Sequence, residues 1–295
     1  MDRFPGIYVA TTTPFTGDDL ALDLDRYRAH CAWLVDEGVD GLIPVGSLGE
    51  YESLSPEERR AVVATAAQTA AGRAKVVPGV SAPSSRTASE LAQHAADVGA
   101  DGVMLLPPTN HAPTRHELVA HFGAVAEVGL PIIAYNNPFS TRVDLTPDVL
   151  AQLSRIDGVV AVKEFSGDVR RVSQILELAP SLEILCGSDD VALESALMGA
   201  TGWIGGFTGV FPRLTAEVFA LGRKGDVAAA LPLYRRMLPL LRWDSGPRFV
   251  QAIKLAVDLV GKPGGGAVRP PRVPLDDAEA RQVEHGVAAV LEATA

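Results

Sequence analysis

Cysteine is scarce in this chain: Cys31 and Cys186 lie far apart and form no CxxC pair. That excludes a disulfide framework and a thiolate zinc site. Histidine offers no substitute, because its six occurrences form no HExxH or HxH pair, and His116 and His121 fall five apart, a poor spacing for one metal. No bound metal is expected. Positive charge is also in deficit, with 26 basic residues against 36 acidic ones and a net charge of −10. Such a surface repels nucleic acid and anionic membranes, and no basic stripe offsets it. No apolar run approaches the ~18 residues of a membrane span. The start, Met1-Asp2-Arg3-Phe4-Pro5, lacks the basic and apolar regions of a secretory signal, so cytoplasmic residence is the expectation.

What is present is apolar material in regular order. Hydrophobic residues make up 47% of the 295, ample to bury a core. Short apolar runs recur at 6–15, 41–47, 75–81, 102–108, 131–137, 159–165, 182–188 and 202–207. They are nearly continuous in hydrophobicity, as strands buried on both faces are. Helical patterns lie between them: Leu24–Glu37, a stretch opened by Ser55-Pro56-Glu57-Glu58, then Ala88–Val98, Glu117–Val128, Pro147–Ile156, Val169–Leu178, Val191–Met198 and Leu214–Leu221. Ser55 and Glu58 have capping-box spacing, with Pro56 in the first helical position. Gly38, Gly72, Gly99, Gly129, Gly158 and Gly199 stand where helices should stop.

Eight consecutive strand–helix units favour a closed (β/α)8 barrel, a TIM barrel. An open doubly wound sheet would carry a glycine-rich phosphate loop after its first strand, and Thr11-Thr12-Thr13-Pro14 is no such loop. The alternation stops after Gly225. The expected organisation is a catalytic barrel over 1–225 and a helical extension over 226–295, with helices near 227–243, 247–261 and 276–293. The stretch from Lys262 to Pro271 is too rich in Pro and Gly for either regular element.

In such a barrel the chemistry lies at the C-terminal ends of the strands. Four places stand out. Lys163, in Val159-Val160-Ala161-Val162-Lys163-Glu164-Phe165, is the one lysine of five in the later part of a strand. Desolvation disfavours an ammonium, and a neutral amine is the nucleophile that makes a Schiff base with a carbonyl. An ion pair with Glu164 is opposed by the strand period, which turns adjacent side chains to opposite faces. Tyr135, ending the fifth run, could relay protons or simply pack. Gly46-Ser47-Leu48-Gly49-Glu50 closes the second run, where backbone N–H groups and the Ser47 hydroxyl could hold a carboxylate, or form a plain turn. Gly187-Ser188-Asp189-Asp190 follows the seventh run. Its acids oppose phosphate, and they also suit a helix N-cap and first turn.

Taken together, these residues resemble the dihydrodipicolinate synthase / N-acetylneuraminate lyase family, barrels that act on pyruvate and related 2-oxo acids through an imine. The resemblance rests on Gly46–Glu50, Tyr135-Asn136-Asn137-Pro138, Lys163-Glu164-Phe165-Ser166-Gly167-Asp168 and Gly187–Asp190, with Gly202-Trp203-Ile204-Gly205-Gly206 and Val268-Arg269-Pro270-Pro271 in support. It covers essentially the whole chain. It implies that Lys163 forms the imine, that Tyr135 shuttles protons, that Ser47 and the Leu48 N–H hold the substrate carboxylate, and that the backbone around Ile204 lines the pocket. It implies no dissociable cofactor, since the protonated imine is the electron sink, and it implies a homo-oligomer, a tetramer or dimer.

The chain departs from the family pattern at three places. Ser47-Leu48 stands where two threonines are usual, Thr109 lies near the place of a relay tyrosine, and Ser140 takes the place of an arginine that meets a second substrate's carboxylate. Arg142, the one cation of that loop, is the candidate for a distal carboxylate. These changes touch the relay and second-substrate positions and leave the imine core intact. The leading expectation is therefore a lyase (an aldolase, dehydratase or deaminase) acting on a small 2-oxo acid or cyclic imine acid. The alternatives are a 4-hydroxy-tetrahydrodipicolinate synthase, condensing pyruvate with aspartate semialdehyde, and a barrel that binds a sugar acid without turning it over.

Overall fold

The computed structural model describes residues 3–108 and 111–294; Thr109 therefore lies outside the described residues. Eight parallel strands form the barrel: β1 (Gly6–Ala10), β2 (Gly41–Ile43), β3 (Lys75–Val76), β4 (Val103–Leu105), β5 (Ile132–Asn136), β6 (Val159–Glu164), β7 (Glu183–Cys186) and β8 (Gly202–Gly205). Each pairs with its neighbours in sequence, and β8 returns to β1. The circle closes between β3 and β4. There Gly79 bridges Met104, with Met104 N–H on Pro78 O at 2.9 Å and Val80 N–H on Met104 O at 3.0 Å. The expected (β/α)8 barrel is the fold.

Barrel helices follow the strands: α1 (Leu24–Asp36), α2 (Pro56–Ala70), α3 (Ser85–Asp97), α4 (Arg115–Ala126), α5 (Pro147–Leu153), α6 (Arg170–Leu178), α7 (Ala192–Met198) and α8 (Pro212–Arg223). The Ser55–Glu58 capping box is formed at the start of α2, and Thr114 with Glu117 makes another at α4. All six helix-stop glycines sit at positive φ, between 76° and 112°. A backbone in that region costs glycine no side-chain clash. Two features carried no periodic signal. A hairpin of two-residue strands, Phe15–Thr16 and Ala21–Leu22, is too short to show alternation. Helix α5 stops at Leu153, three residues before the expected Ile156, with Ser154 as its cap.

The core divides into layers. Phe4, Tyr8, Ile43, Val77, Ile133 and Leu185 fill the barrel interior, where Tyr135, Phe165 and Ile204 join them. A larger cluster of small and branched residues lies between strands and helices. The extension supplies α9 (Val227–Leu241), α10 (Phe249–Leu259) and α11 (Asp277–Thr294). No helix among the described residues is long and apolar enough to cross a membrane.

The extension is tied to the barrel mouth by a buried charge pair. Lys254 of α10 reaches Glu50, at the end of the loop after β2, with Nζ–Oε1 2.6 Å and both side chains at most 1% exposed. Lys254 also donates to Ala267 O at 2.7 Å, and Arg269 N–H donates to the other Glu50 oxygen at 3.0 Å. The Arg269 guanidinium grips Glu58 with two bonds of 2.6 and 2.8 Å and reaches Ser53 O and Leu20 O. Thr12 donates to Gly264 O at 2.7 Å, and Thr13 donates to Gly49 O at 2.8 Å. The Pro/Gly-rich stretch is thus irregular because it threads these bonds along the mouth.

Removing one partner of a buried pair strands the other charge away from water. Lys254→Met is expected to lower unfolding free energy by about 3–5 kcal/mol in urea titration. The double variant Lys254→Met/Glu50→Gln should recover a substantial part of that loss. Equal losses in the single and double variants would mean that the charges themselves are not the cause.

Candidate active site

The site forms where β5 and β6 end. Tyr135 and Lys163 are register partners in these adjacent strands, so period-two geometry turns both to the same face. Lys163 is 5% exposed, and its Nζ lies 4.4 Å from the Tyr135 ring centroid and 5.7 Å from that of Phe165. The two rings meet edge to face. Gly187 packs against the lysine stem, since a Cβ there would stand 3.0 Å from Lys163 Cε and 2.9 Å from Glu164 O. That close approach explains the glycine after β7.

Glu164 points the other way, as the strand period requires, and makes no pair with Lys163. It accepts from Asn136 Nδ2 at 3.0 Å and Ser166 N–H at 2.7 Å. Burial nonetheless pushes its carboxyl above the usual range. Asn136 also accepts from Leu145 N–H, and Asp144 beside it is gripped by Arg171 through two 2.6 Å bonds. This outward network braces the ends of β5 and β6.

The phenol of Tyr135 has a defined role as an acceptor. Asn137 donates Nδ2 to its oxygen at 2.9 Å, while Asn137 Oδ1 accepts from Ser140 N–H at 3.0 Å. A backbone N–H can only donate, so it fixes which end of the amide faces the phenol. The Tyr135 proton is therefore directed to another partner, and the cleft lies beside it.

That cleft has a volume of about 410 Å3. Lys163, Tyr135, Ser47 and Leu48 all line it, so the structure brings these four expected residues together. Ile204 is fully buried in the barrel interior and does not line the cleft, and Gly206, just past the end of β8, meets the cleft instead. Arg142 does not line it. Asn137 caps a short helical turn, Pro138–Thr141, whose buried Thr141 hydroxyl bonds Asn137 O and Val143 O. This winding puts Phe139 and Ser140 on the cleft and leaves Arg142 past the rim, exposed and left-handed at φ 58°.

The loop carrying Ser47 is strained at both ends. Val45 and Glu50 take φ of 59° and 55°. A left-handed β-branched residue is a true outlier, and such residues cost on the order of 1–3 kcal/mol each unless their surroundings hold them. The Glu50 ion pair holds the second of these two ends.

Sequence reasoning missed the far wall. Asp244, Ser245, Gly246 and Pro247, between α9 and α10, and Phe249, the first residue of α10, all line the cleft. No local motif marks them, because only the packing of the extension brings them there. Asp189 differs from the expected N-cap acid. It is fully buried and accepts from Trp203 Nε1 at 2.7 Å and Phe207 N–H at 2.9 Å. Burial, against the pull of these donors and of Lys163, raises its carboxyl to about 6. Asp244 is raised too, by burial and by the neighbouring Asp189.

A barrel with a lysine, a tyrosine and a glycine-rich loop converging at its strand ends defines a class, the imine-forming lyases. Within that class, the chain belongs to the dihydrodipicolinate synthetase family, whose model matches residues 3–290. It is 34% identical over 287 residues to a 4-hydroxy-tetrahydrodipicolinate synthase of Methanospirillum hungatei, covering 95% of this chain and 96% of the relative. It is 37% identical to the enzyme of that name from Methanothrix thermoacetophila, over 93% and 92% of the two chains. Among solved structures it resembles a prophage protein of the dihydrodipicolinic acid synthase family from E. coli K12 in complex with pyruvate, with TM-score 0.91, 30% identity and coverage of 98% and 99%.

The Asp189 carboxyl has a consequence for stability. Between about pH 4 and 6 the folded protein keeps a proton that the unfolded chain has released, so raising the pH through that window lowers stability. Asp189→Asn is expected to flatten this fall in urea titrations at pH 4, 5 and 6. A slope unchanged from the parent protein would show that Asp189 titrates normally.

Proposed function

We propose that this protein is a lyase that binds a small 2-oxo acid as an imine on Lys163. The observation that carries the reading is the convergence of Lys163, Tyr135, Ser47 and Leu48 on one cleft. The Lys163 amine adds to the C2 carbonyl carbon to give a carbinolamine, which loses its hydroxyl as water. Tyr135 passes the protons in both steps, because its phenol already accepts from Asn137 and has its own proton free to give. The substrate carboxylate lies against the Ser47 hydroxyl and the Leu48 N–H. The protonated imine then takes the electron pair released when a bond at the substrate's third or fourth carbon breaks, so the residues supply the whole electron sink.

The cleft wall favours a substrate or co-substrate without a second carboxylate, which tells against aspartate semialdehyde. The cleft-lining residue at the family's arginine position is Ser140, and Lys163 is the one cation among the lining residues described. The synthase reading rests on the names of the relatives, and consumption of aspartate semialdehyde in the presence of pyruvate would favour it. A homo-oligomer is also proposed. Leu176, Leu178, Leu197 and Met198 expose apolar surface on the neighbouring helices α6 and α7, which a second copy could cover. Cytoplasmic residence belongs to the same proposal.

Two results test the imine. Borohydride in the presence of pyruvate should add the mass of the reduced adduct to the peptide containing Lys163; label on Lys75 or Lys254 instead would refute the assignment. Tyr135→Phe should lower kcat by about 10²–10⁴-fold while the adduct at Lys163 still forms slowly. Turnover within twofold of the parent would remove Tyr135 from the proton path.

A further inference from the structure

Asn137 caps the turn after β5 and lines the cleft, 4% exposed. Its amide is used at both ends. Oδ1 accepts from Ser140 N–H at 3.0 Å, the capping bond of the turn, and Nδ2 donates to the Tyr135 phenol at 2.9 Å. Thr141 gives two bonds to the Asn137 carbonyl, from its N–H at 3.0 Å and from its hydroxyl at 2.9 Å, so backbone and side chain are both held. Asn137 is the one hydrogen-bond partner of that phenol among the described residues.

The residue type follows from this double use. Serine, threonine, aspartate and asparagine all cap helices through a side-chain oxygen. Asparagine adds a separate N–H donor on the same group, whereas an ionised aspartate only accepts and a hydroxyl is one short arm. The cap alone does not call for asparagine; the phenol does.

The donor matters whenever Tyr135 has given up its proton. Addition of the Lys163 amine at C2 leaves a positive nitrogen and a negative oxygen. The phenol protonates that oxygen and, as phenoxide, takes a proton back from the nitrogen. When the carbinolamine collapses, the phenol gives its proton to the hydroxyl, which leaves as water as the nitrogen lone pair forms the C=N bond. A phenoxide then stands beside the protonated imine until a proton from solvent returns to it. In both steps negative charge sits on a buried Tyr135 oxygen. A fixed N–H aimed at an oxygen where charge develops is worth more there than in water, and bonds to charged acceptors are the stronger ones.

We propose that Asn137 is a positioning residue, which keeps the Tyr135 proton turned toward the cleft and stabilises the phenoxide that forms as the imine is made. This rests on the imine reading above and adds a residue to its proton path.

The test follows the rate at which pyruvate forms the borohydride-trapped adduct at Lys163. Asn137→Ser keeps a capping oxygen for Ser140 and removes the donor to the phenol. Asn137→Thr does the same and carries the test if the serine variant fails to fold. Either should lower the maximal rate by about 10–100-fold, the scale of one hydrogen bond to a charged group. The pyruvate concentration giving half that rate, set by Ser47 and Leu48, should stay within about twofold of the parent value. In the Tyr135→Phe background the same substitution should change the rate by less than about threefold, because a residue acting through the phenol has nothing left to act on. A maximal rate within about threefold of the parent, an equal fall in both backgrounds, or a rise in half-saturating pyruvate that matches the fall in rate would overturn the assignment. Failure of pyruvate to label Lys163 in the parent protein would instead overturn the imine reading, and this inference with it.

Discussion

The site depends on the ion pair between Glu50 and Lys254. Both side chains are shut away from water, and every oxygen of Glu50 is engaged, by the Lys254 ammonium and by the Arg269 N–H. Burial lowers the proton affinity of Lys254, and Glu50 offsets part of that fall. Such a pair adds little net stability over an apolar substitute, because desolvation of the two charges offsets their attraction. What it gives is registration. It fixes the end of a loop whose flanking residues, Val45 and Glu50, are both held in the left-handed region. Without that clamp, the backbone that presents Ser47 and Leu48 to the cleft has a local reason to relax.

The same clamp brings the extension to the mouth. Helix α10 carries Lys254, its first residue Phe249 lines the cleft, and the segment just before it delivers Asp244 through Pro247 there. The C-terminal residues thus form one wall of the site and do more than pack on its outside. The electrostatics follow from strand geometry. Alternation sends Lys163 and Tyr135 inward and Glu164 outward, where Asn136, Asp144 and Arg171 absorb it. Inside, one lysine stands among buried acids whose carboxyls are pushed up by desolvation. A site of this kind keeps protons near a reacting carbon without any group of large exposed charge.

Much of this was legible in the sequence, for physical reasons. Continuous apolar runs and helix-stop glycines mark a parallel barrel, since each unit repeats the same local rule. Lys163 stood out because a lysine in an apolar strand conflicts with its surroundings, and Tyr135 because it ends the adjoining strand. Ser47 and Leu48 came from the glycines beside them. The residues that escaped notice depend on chain segments distant in sequence. Asp244 lies between two ordinary helices, and packing of the extension on the barrel, through contacts as distant in sequence as Lys254 with Glu50 and Ser245 with Asp190, places it in the cleft. Asn137 reads as a strand-end asparagine, and its grip on the phenol emerges only with the turn it caps. Arg142 was misplaced because loop winding sets direction, and being the loop's lone cation says nothing of where the side chain ends.

The central claim is that one cleft holds a 2-oxo acid covalently on Lys163, with its carboxylate in the β2 loop. The most direct measurement is a crystal structure of the protein soaked with pyruvate. The account predicts continuous density from Lys163 Nζ to the pyruvate C2, with the carboxylate against Ser47 Oγ and the Leu48 N–H and the Tyr135 phenol beside the imine carbon. Pyruvate bound without a covalent link to Lys163, or with its carboxylate turned toward Asp244, would contradict it.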